Sequence, residues 1–308
     1  MAARHADTGN HSTMINSGAA GHLEFGGVAV QLGDVVAALE ARYAPELAES
    51  WDAVGLVCGD PGEPVQRVLF AVDPTAAVVD EAIETGAQLL VTHHPLLLTP
   101  VHGVPADDPK GRLVHRLIRA GAGHFVAHTN ADRAADYGVN DALAAVLGLV
   151  DAVPLEPAAS DPRAGLGRIG RLAAPMTLRR FAEHAAATLP PTVGGVRVAG
   201  DVERTVHTVA VCGGSGGSLV DVAARAGADV LLTSDLKHHP VSEALESGGL
   251  ALCDVGHFAS EWPWLPVAAD VLSRDLSGRV EVAVSRRRTD PWTWRAGQDE
   301  RPVEQSAG

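Results

Sequence analysis

The chain has 308 residues, 46% of them hydrophobic, 20% charged and 4% aromatic. That balance excludes collagen, coiled-coil and wholly disordered chains, and the length exceeds a usual single core, which predicts two lobes or one large α/β unit. With 24 Lys and Arg against 38 Asp and Glu the net charge is −14, which repels polyphosphate over most of the surface and argues against a nucleic-acid partner.

Residues 1–27 carry no apolar segment of signal-peptide type and read as a disordered tail. Apolar runs then alternate with amphipathic segments, the pattern of an α/β fold with mostly parallel strands. A helix is predicted over 35–48, a loop at 51–56, a strand over 68–72 and a helix over 74–85 with Pro74 near its first turn. The next strand, 88–92, stops at His93-His94-Pro95, where proline forbids continuation. A helix over 109–120, a strand over 124–127 and a helix over 140–147 complete a first lobe, 28–150. Residues 151–167, rich in Pro, Ala, Asp and Gly, read as a linker.

The second lobe, 168–285, opens with a strand over 168–172 and a helix over 177–189 capped by Thr177. Strands follow over 206–211, 229–232 and 250–253, with the loop Gly213–Ser218 leading into a helix over 219–226. Residues 286–308 look like a solvated tail in which Trp292 and Trp294 stand out. An internal repeat relates the lobes. Residues 79–92 and 220–233 are identical at seven of fourteen positions: Val79, Asp80, Ala82, Gly86, Ala87, Leu90 and Thr92 match their partners. Beyond each repeat comes a later strand ending in His-xxx-acid, His128 to Asp132 and His257 to Glu261.

No apolar stretch reaches the length of a membrane span, so no membrane partner is expected. The cysteines Cys58, Cys212 and Cys253 are odd in number and far apart. They fit buried packing in a reducing cytoplasm better than a disulfide framework.

Functional groups in α/β sheets gather at the carboxyl ends of strands. Four such ends are polar: His93-His94, His128 to Asp132, Thr233-Ser234-Asp235 and His257 to Glu261. A His-His pair or a single His-xxx-acid is by itself more often surface or capping than ligand. Three histidines and two carboxylates, each just after an apolar strand, favour a borderline divalent metal such as Zn, Fe, Mn, Co or Ni. Two ions about 3.5–4 Å apart would share a water and lower its pKa. His128 reads as a ligand, an outer partner or a proton shuttle. Asp235 with Lys237, His238 and His239 either lines the same cavity or forms a solvated turn. Gly213–Ser218 matches neither dinucleotide nor P-loop signatures and reads as a flexible turn rather than a phosphate cradle.

Five ordered motifs carry a family resemblance: Trp51-Asp52-Ala53-Val54-Gly55-Leu56, Thr92-His93-His94-Pro95, His128-Thr129-Asn130-Ala131-Asp132, Thr233-Ser234-Asp235-Leu236-Lys237-His238-His239 and Gly256-His257-Phe258-Ala259-Ser260-Glu261. Over roughly residues 28–285 the chain resembles the NIF-three-like family, also labelled GTP cyclohydrolase 1 type 2 homologue or dinuclear metal centre hexameric protein. The resemblance implies two similar α/β lobes related by duplication and a homohexamer, a trimer of dimers, with a di-metal site facing its interior. It implies two divalent ions per chain, iron, zinc or manganese, held by His93, His94, Asp132, His257 and Glu261, with Glu261 bridging and His128 catalytic. Ala53 stands where the family commonly has Asn, and Ser234 where it commonly has Gly. The interval between lobes is too short for the extra middle domain of some members.

Two functions follow from these expectations. One is a metal-dependent hydrolase acting on a C–N bond of a purine- or pterin-like small molecule, or on a phosphoester. The other is a non-catalytic hexameric metal-binding scaffold or regulator that acts through protein partners.

Overall fold

A computed structural model describes residues 29–296. The predicted tail 1–27 and the end of the C-terminal tail, 297–308, lie outside the described residues. The helices are α1 (Leu32–Arg42), α2 (Ala76–Glu84), α3 (Pro109–Arg119), α4 (Thr129–Asp132), α5 (Val139–Val146), α6 (Leu178–Thr188), α7 (Val220–Arg225), α8 (His238–Ser247), α9 (His257–Glu261) and α10 (Trp264–Asp275). The strands are β1 (Gly55–Cys58), β2 (Arg67–Ala71), β3 (Leu89–Thr92), β4 (Gly123–Val126), β5 (Leu149–Pro157), β6 (Gly165–Thr177), β7 (Arg197–Ala199), β8 (Thr205–Val211), β9 (Val230–Ser234), β10 (Ala251–Val255) and β11 (Glu281–Val284).

They form two mixed sheets, ordered β1-β4-β3-β2-β11 and β5-β6-β8-β9-β10-β7. At the centre of each lie three parallel strands, β2-β3-β4 and β8-β9-β10. The sequence repeat covers β3 and β9, and the strands that follow it, β4 and β10, lead to the two His-xxx-acid pairs. The central strands are apolar on both faces because both faces are covered. In the first sheet Phe70, Leu89, Val91 and Phe125 pack on one side, and Leu69, Ala71 and Leu90 on the other. In the second, Val209, Val211, Val230 and Leu232 oppose Ala210, Leu231 and Leu252. Helix α5 joins the two inner layers, with Val139 and Ala142 in the first core and Leu143 and Ala144 in the second.

Three boundaries differ from the sequence expectation. Residues 151–167 are not a linker: most of them belong to β5 and β6, which pair antiparallel at the edge of the second sheet. Pro154 and Pro157 disguise β5, and an edge strand tolerates proline because one row of its N–H groups needs no ladder partner. The second lobe does not run to residue 285, because α10 and β11 return to the first. Trp264, Leu265, Ala268 and Leu272 pack in the first core, and β11 lies parallel to β2. The segment after residue 285 is not free in solvent, since Thr289 bonds Asp73 and Arg287 reaches Glu81.

His124 in β4 is fully buried, and its Nε2 lies 2.7 Å from the Thr92 hydroxyl. That hydroxyl donates to the His94 carbonyl, so the His124 Nε2–H must be the donor between them. Burial pushes the His124 pKa down from 6.5 to about 4. The unfolded chain therefore binds a proton between pH 6.5 and 4 that the native chain refuses. Stability from this residue is complete above pH 6.5 and falls by roughly 3 kcal/mol as pH drops to 4. We expect imidazole ¹⁵N spectra to show a neutral Nε2–H ring at pH 5; a ring protonated near pH 6 in the folded chain contradicts this.

Candidate metal centre

The carboxyl ends of β3 and β4 face those of β9 and β10, and the polar residues that end these strands meet between the sheets. His93 and His94 leave β3, and His128 precedes α4, which ends at Asp132. Ser234 and Asp235 end β9, and α9 carries His257 and Glu261 one turn apart. The irregular backbone after Thr92 turns both adjacent imidazoles the same way, their ring centroids 5.0 Å apart.

Each imidazole is fixed from behind. His93 Nδ1 lies 2.9 Å from the Ala127 carbonyl, His94 Nδ1 2.7 Å from Asp73, His128 Nδ1 2.8 Å from Asp52 and His257 Nδ1 2.6 Å from Asp235. A carbonyl and three carboxylates can only accept, so Nδ1–H donates and each Nε2 points inward, where a neutral ring would offer its lone pair to a cation. This is the second layer of bonding that orients metal-ligating histidines. The inward atoms converge on Glu261. Its carboxylate lies 2.9 Å from His257 Nε2, 3.1 Å from His94 Nε2 and 3.4 Å from His93 Nε2. His257 and His94 bring their Nε2 atoms to 3.3 Å, and Asp132 Oδ1 is 3.7 Å from His93 Nε2.

The charges favour cations. Burial opposes ionisation of Glu261, but His94, His93 and His257 hold its carboxyl well below the usual range. Burial also works to lower the histidines, yet Glu261 with Asp73 raises His94 to about 11, and Glu261 with Asp235 raises His257 to about 9. Burial pushes the Asp132 carboxyl up. His93 Nε2, Asp132 Oδ1 and Glu261 Oε2 are buried with no hydrogen-bond partner among the described residues. Such groups cost about 1–3 kcal/mol each when left unmade, and a cation between them would satisfy all three. The residues therefore fit a metal. Two overlapping sets have ligand atoms close enough to hold one: His93, His94 and His128, and His94, His257 and Glu261.

The Duf34/NIF3 (NGG1p interacting factor 3) family pattern matches residues 30–291. The chain belongs to the Duf34/NIF3 family. It is 54% identical over 269 residues to a Streptomyces coelicolor protein named GTP cyclohydrolase 1 type 2 homolog, covering 85% of this chain and 94% of that one. A Mycobacterium tuberculosis protein of the same name is 38% identical over 371 aligned positions, covering 86% of this chain and 97% of the relative. That alignment is longer than this 308-residue chain, so the relative carries inserted sequence. Among solved structures, a Bacillus cereus protein related to NIF3 superposes with a TM-score of 0.79 at 26% identity, covering 86% of this chain and 99% of that one. A Staphylococcus aureus hypothetical protein gives 0.80 at 28%, covering 87% and 100%.

Residues that hold the Duf34/NIF3 site from outside carried weaker signals in the sequence. Asp52 lay in a family motif without a role; besides His128 it accepts from the Thr129 N–H and hydroxyl, and these partners keep its carboxyl low against burial. Asp73 lies two residues past the end of β2, and its position at a strand end was the available signal. Asp235 has a left-handed φ of 57°, a conformation Asp tolerates, which aims it at His257. Lys237 and His238 do not join the centre; they line a different cavity with Ser242 and Leu245. Ser234, in place of the family's common Gly, hydrogen-bonds Ser260 at 3.1 Å.

The Gly213–Ser218 loop is neither cradle nor flexible turn. Its Gly213, Gly214 and Gly216 N–H groups donate to Asn140, Ser260 and Thr233. The loop walls the centre, and Gly214 has a φ of 65° with any added Cβ 2.5 Å from Glu261 Oε1. Gly214→Ala should displace the Glu261 carboxylate and lower metal affinity about tenfold or more. Competition with a chelator measures it, and unchanged affinity would show that the contact is slack.

Proposed function

We propose that the chain holds two divalent cations among His93, His94, Asp132, His257 and Glu261 and hydrolyses a C–N bond of a purine- or pterin-like ring, or a phosphoester. One observation carries the reading: imidazoles locked at Nδ1 turn their Nε2 atoms toward the buried Glu261 carboxylate, and His93 Nε2, Asp132 Oδ1 and Glu261 Oε2 are left without partners among the described residues. When bound, the metals would polarise the substrate and lower the pKa of a shared water. The names of the Streptomyces and Mycobacterium relatives support the nucleotide end of this range.

The chain's own residues supply the rest. Glu261 lies between the two ligand sets and is placed to serve both. The ring of His128 faces a cavity of about 440 Å³ bordered by Trp51, Arg133 and Ser215. With Nδ1–H on Asp52, His128 can take or give a proton at Nε2 without losing its orientation. Arg133, paired with Glu49 at 2.5 Å, lines the same cavity. The homohexamer expected from the resemblance, and a cytoplasmic location compatible with the free thiols of Cys58, Cys212 and Cys253, belong to the same reading.

The test is incubation of iron-, zinc- or manganese-loaded protein with GTP and a phosphoester panel. Product should form and vanish in His94→Ala and Glu261→Ala. His128→Ala should lose about 10²-fold or more in rate, and metal content measured in the same variant separates a proton-transfer role from a ligand role. Tight metal binding with no turnover across the panel would favour the scaffold alternative.

A further inference from the structure

A second cavity, about 880 Å³, opens on the other side of the centre, with His94 and His257 on its floor. Its far wall is the segment 289–295, tied down at several points. The Arg288 guanidinium donates to the Pro191 carbonyl and that of Arg295 to the Gly194 carbonyl. The Thr289 hydroxyl bonds one oxygen of Asp73, while the other holds His94 Nδ1. One carboxylate thus couples this strap to a ring of the metal centre.

The strap presents two indoles to the cavity, and Trp292 and Trp294 are 71% and 78% exposed. Tryptophan is normally well buried, and flat exposed indoles are stacking platforms for heteroaromatic rings. Asp290, just before them in the chain, has its Oδ2 buried and without a hydrogen-bond partner among the described residues. It is an acceptor suited to ring N–H donors. Arg197 is engaged by Asp254, whereas Arg295 has no carboxylate partner among the described residues. The volume lies within the range of about 300–1,000 Å³ usual for small-molecule sites.

We propose that the strap is the recognition wall for a purine nucleotide, its ring stacked on the indoles, its N–H edge on Asp290 and its phosphate on Arg295. The inference rests on the hydrolase reading for the purpose of such a site, but its geometry can be tested separately. Calorimetric titration of the full-length, metal-loaded protein with guanosine monophosphate, guanosine and inorganic phosphate is the experiment. The nucleotide should bind. Trp292→Ala/Trp294→Ala should weaken it about tenfold or more with metal content unchanged, and Arg295→Ala should weaken the nucleotide but not guanosine.

Unchanged nucleotide affinity in the tryptophan variant, or no binding by the native chain, overturns the strap. So does a tryptophan variant that only changes the sedimentation coefficient, since the indoles would then lie between copies of the chain. Turnover that depends on His94 but not on the indoles overturns the strap alone. Tryptophan-dependent nucleotide binding with no turnover on any substrate overturns the hydrolase reading alone.

Discussion

Glu261→Ala should abolish metal binding at the candidate centre. Glu261 is buried and touches three imidazoles, and it belongs to one of the two candidate ligand sets. Removing an outer hydrogen-bond partner of a ligand already costs about 10–100-fold in metal affinity, so loss of a shared ligand should exceed about 100-fold. Elemental analysis after dialysis measures metal per chain. Two equivalents in the native protein and fewer than one in the variant is the expected result, with far-ultraviolet dichroism unchanged. Full metal retention in the variant would remove Glu261 from the centre.

Arg168→Met should cost about 3 kcal/mol or more in stability, because several carbonyl acceptors lose their donor at about 1–3 kcal/mol each, while Asp141, whose side chain is 29% exposed, is only partly desolvated. Arg168 is 2% exposed and its guanidinium donates to Asp141 at 2.5 Å and to the carbonyls of Gly165, Gly167 and Ala134. Methionine fills much of the volume but leaves these acceptors unsatisfied. Arg168→Lys should not rescue the loss, because an ammonium lacks the planar fork that engages several acceptors at once. The effect reaches the centre, because Asp141 accepts the Gly138 N–H at the start of α5, and the adjacent Asn140 donates to the Asp132 carbonyl and accepts from Gly213. A shift of the urea midpoint at unchanged slope measures the loss. A shift under about 1 kcal/mol would mean that neighbouring groups satisfy the carbonyls.

The central strands were legible because burial on both faces leaves no other composition than continuous apolar residues, as in Leu89–Thr92 and Val230–Ser234. The repeat over 79–92 and 220–233 was legible for the same reason, since each copy must pack a helix and a strand in the same way. β5 was not legible, because an edge strand needs neither alternation nor freedom from proline. Nor was the return of α10 and β11 to the first sheet, since Trp264 would be apolar in either core.

The residues nearest the candidate cations were visible as polar interruptions after apolar runs, a placement that hydrophobic packing cannot explain. Their supports were not. Asp73, Asp52 and Asp235 are ordinary loop carboxylates in the sequence, and only the chain's path puts each behind a particular imidazole. Sequence alone determined which residue types terminate the buried strands, because burial imposes composition locally. The tertiary structure decided that two sheets face each other, that Gly214 closes on Glu261 and that Thr289 shares Asp73 with His94, because those contacts join residues far apart in the chain and leave no periodic trace.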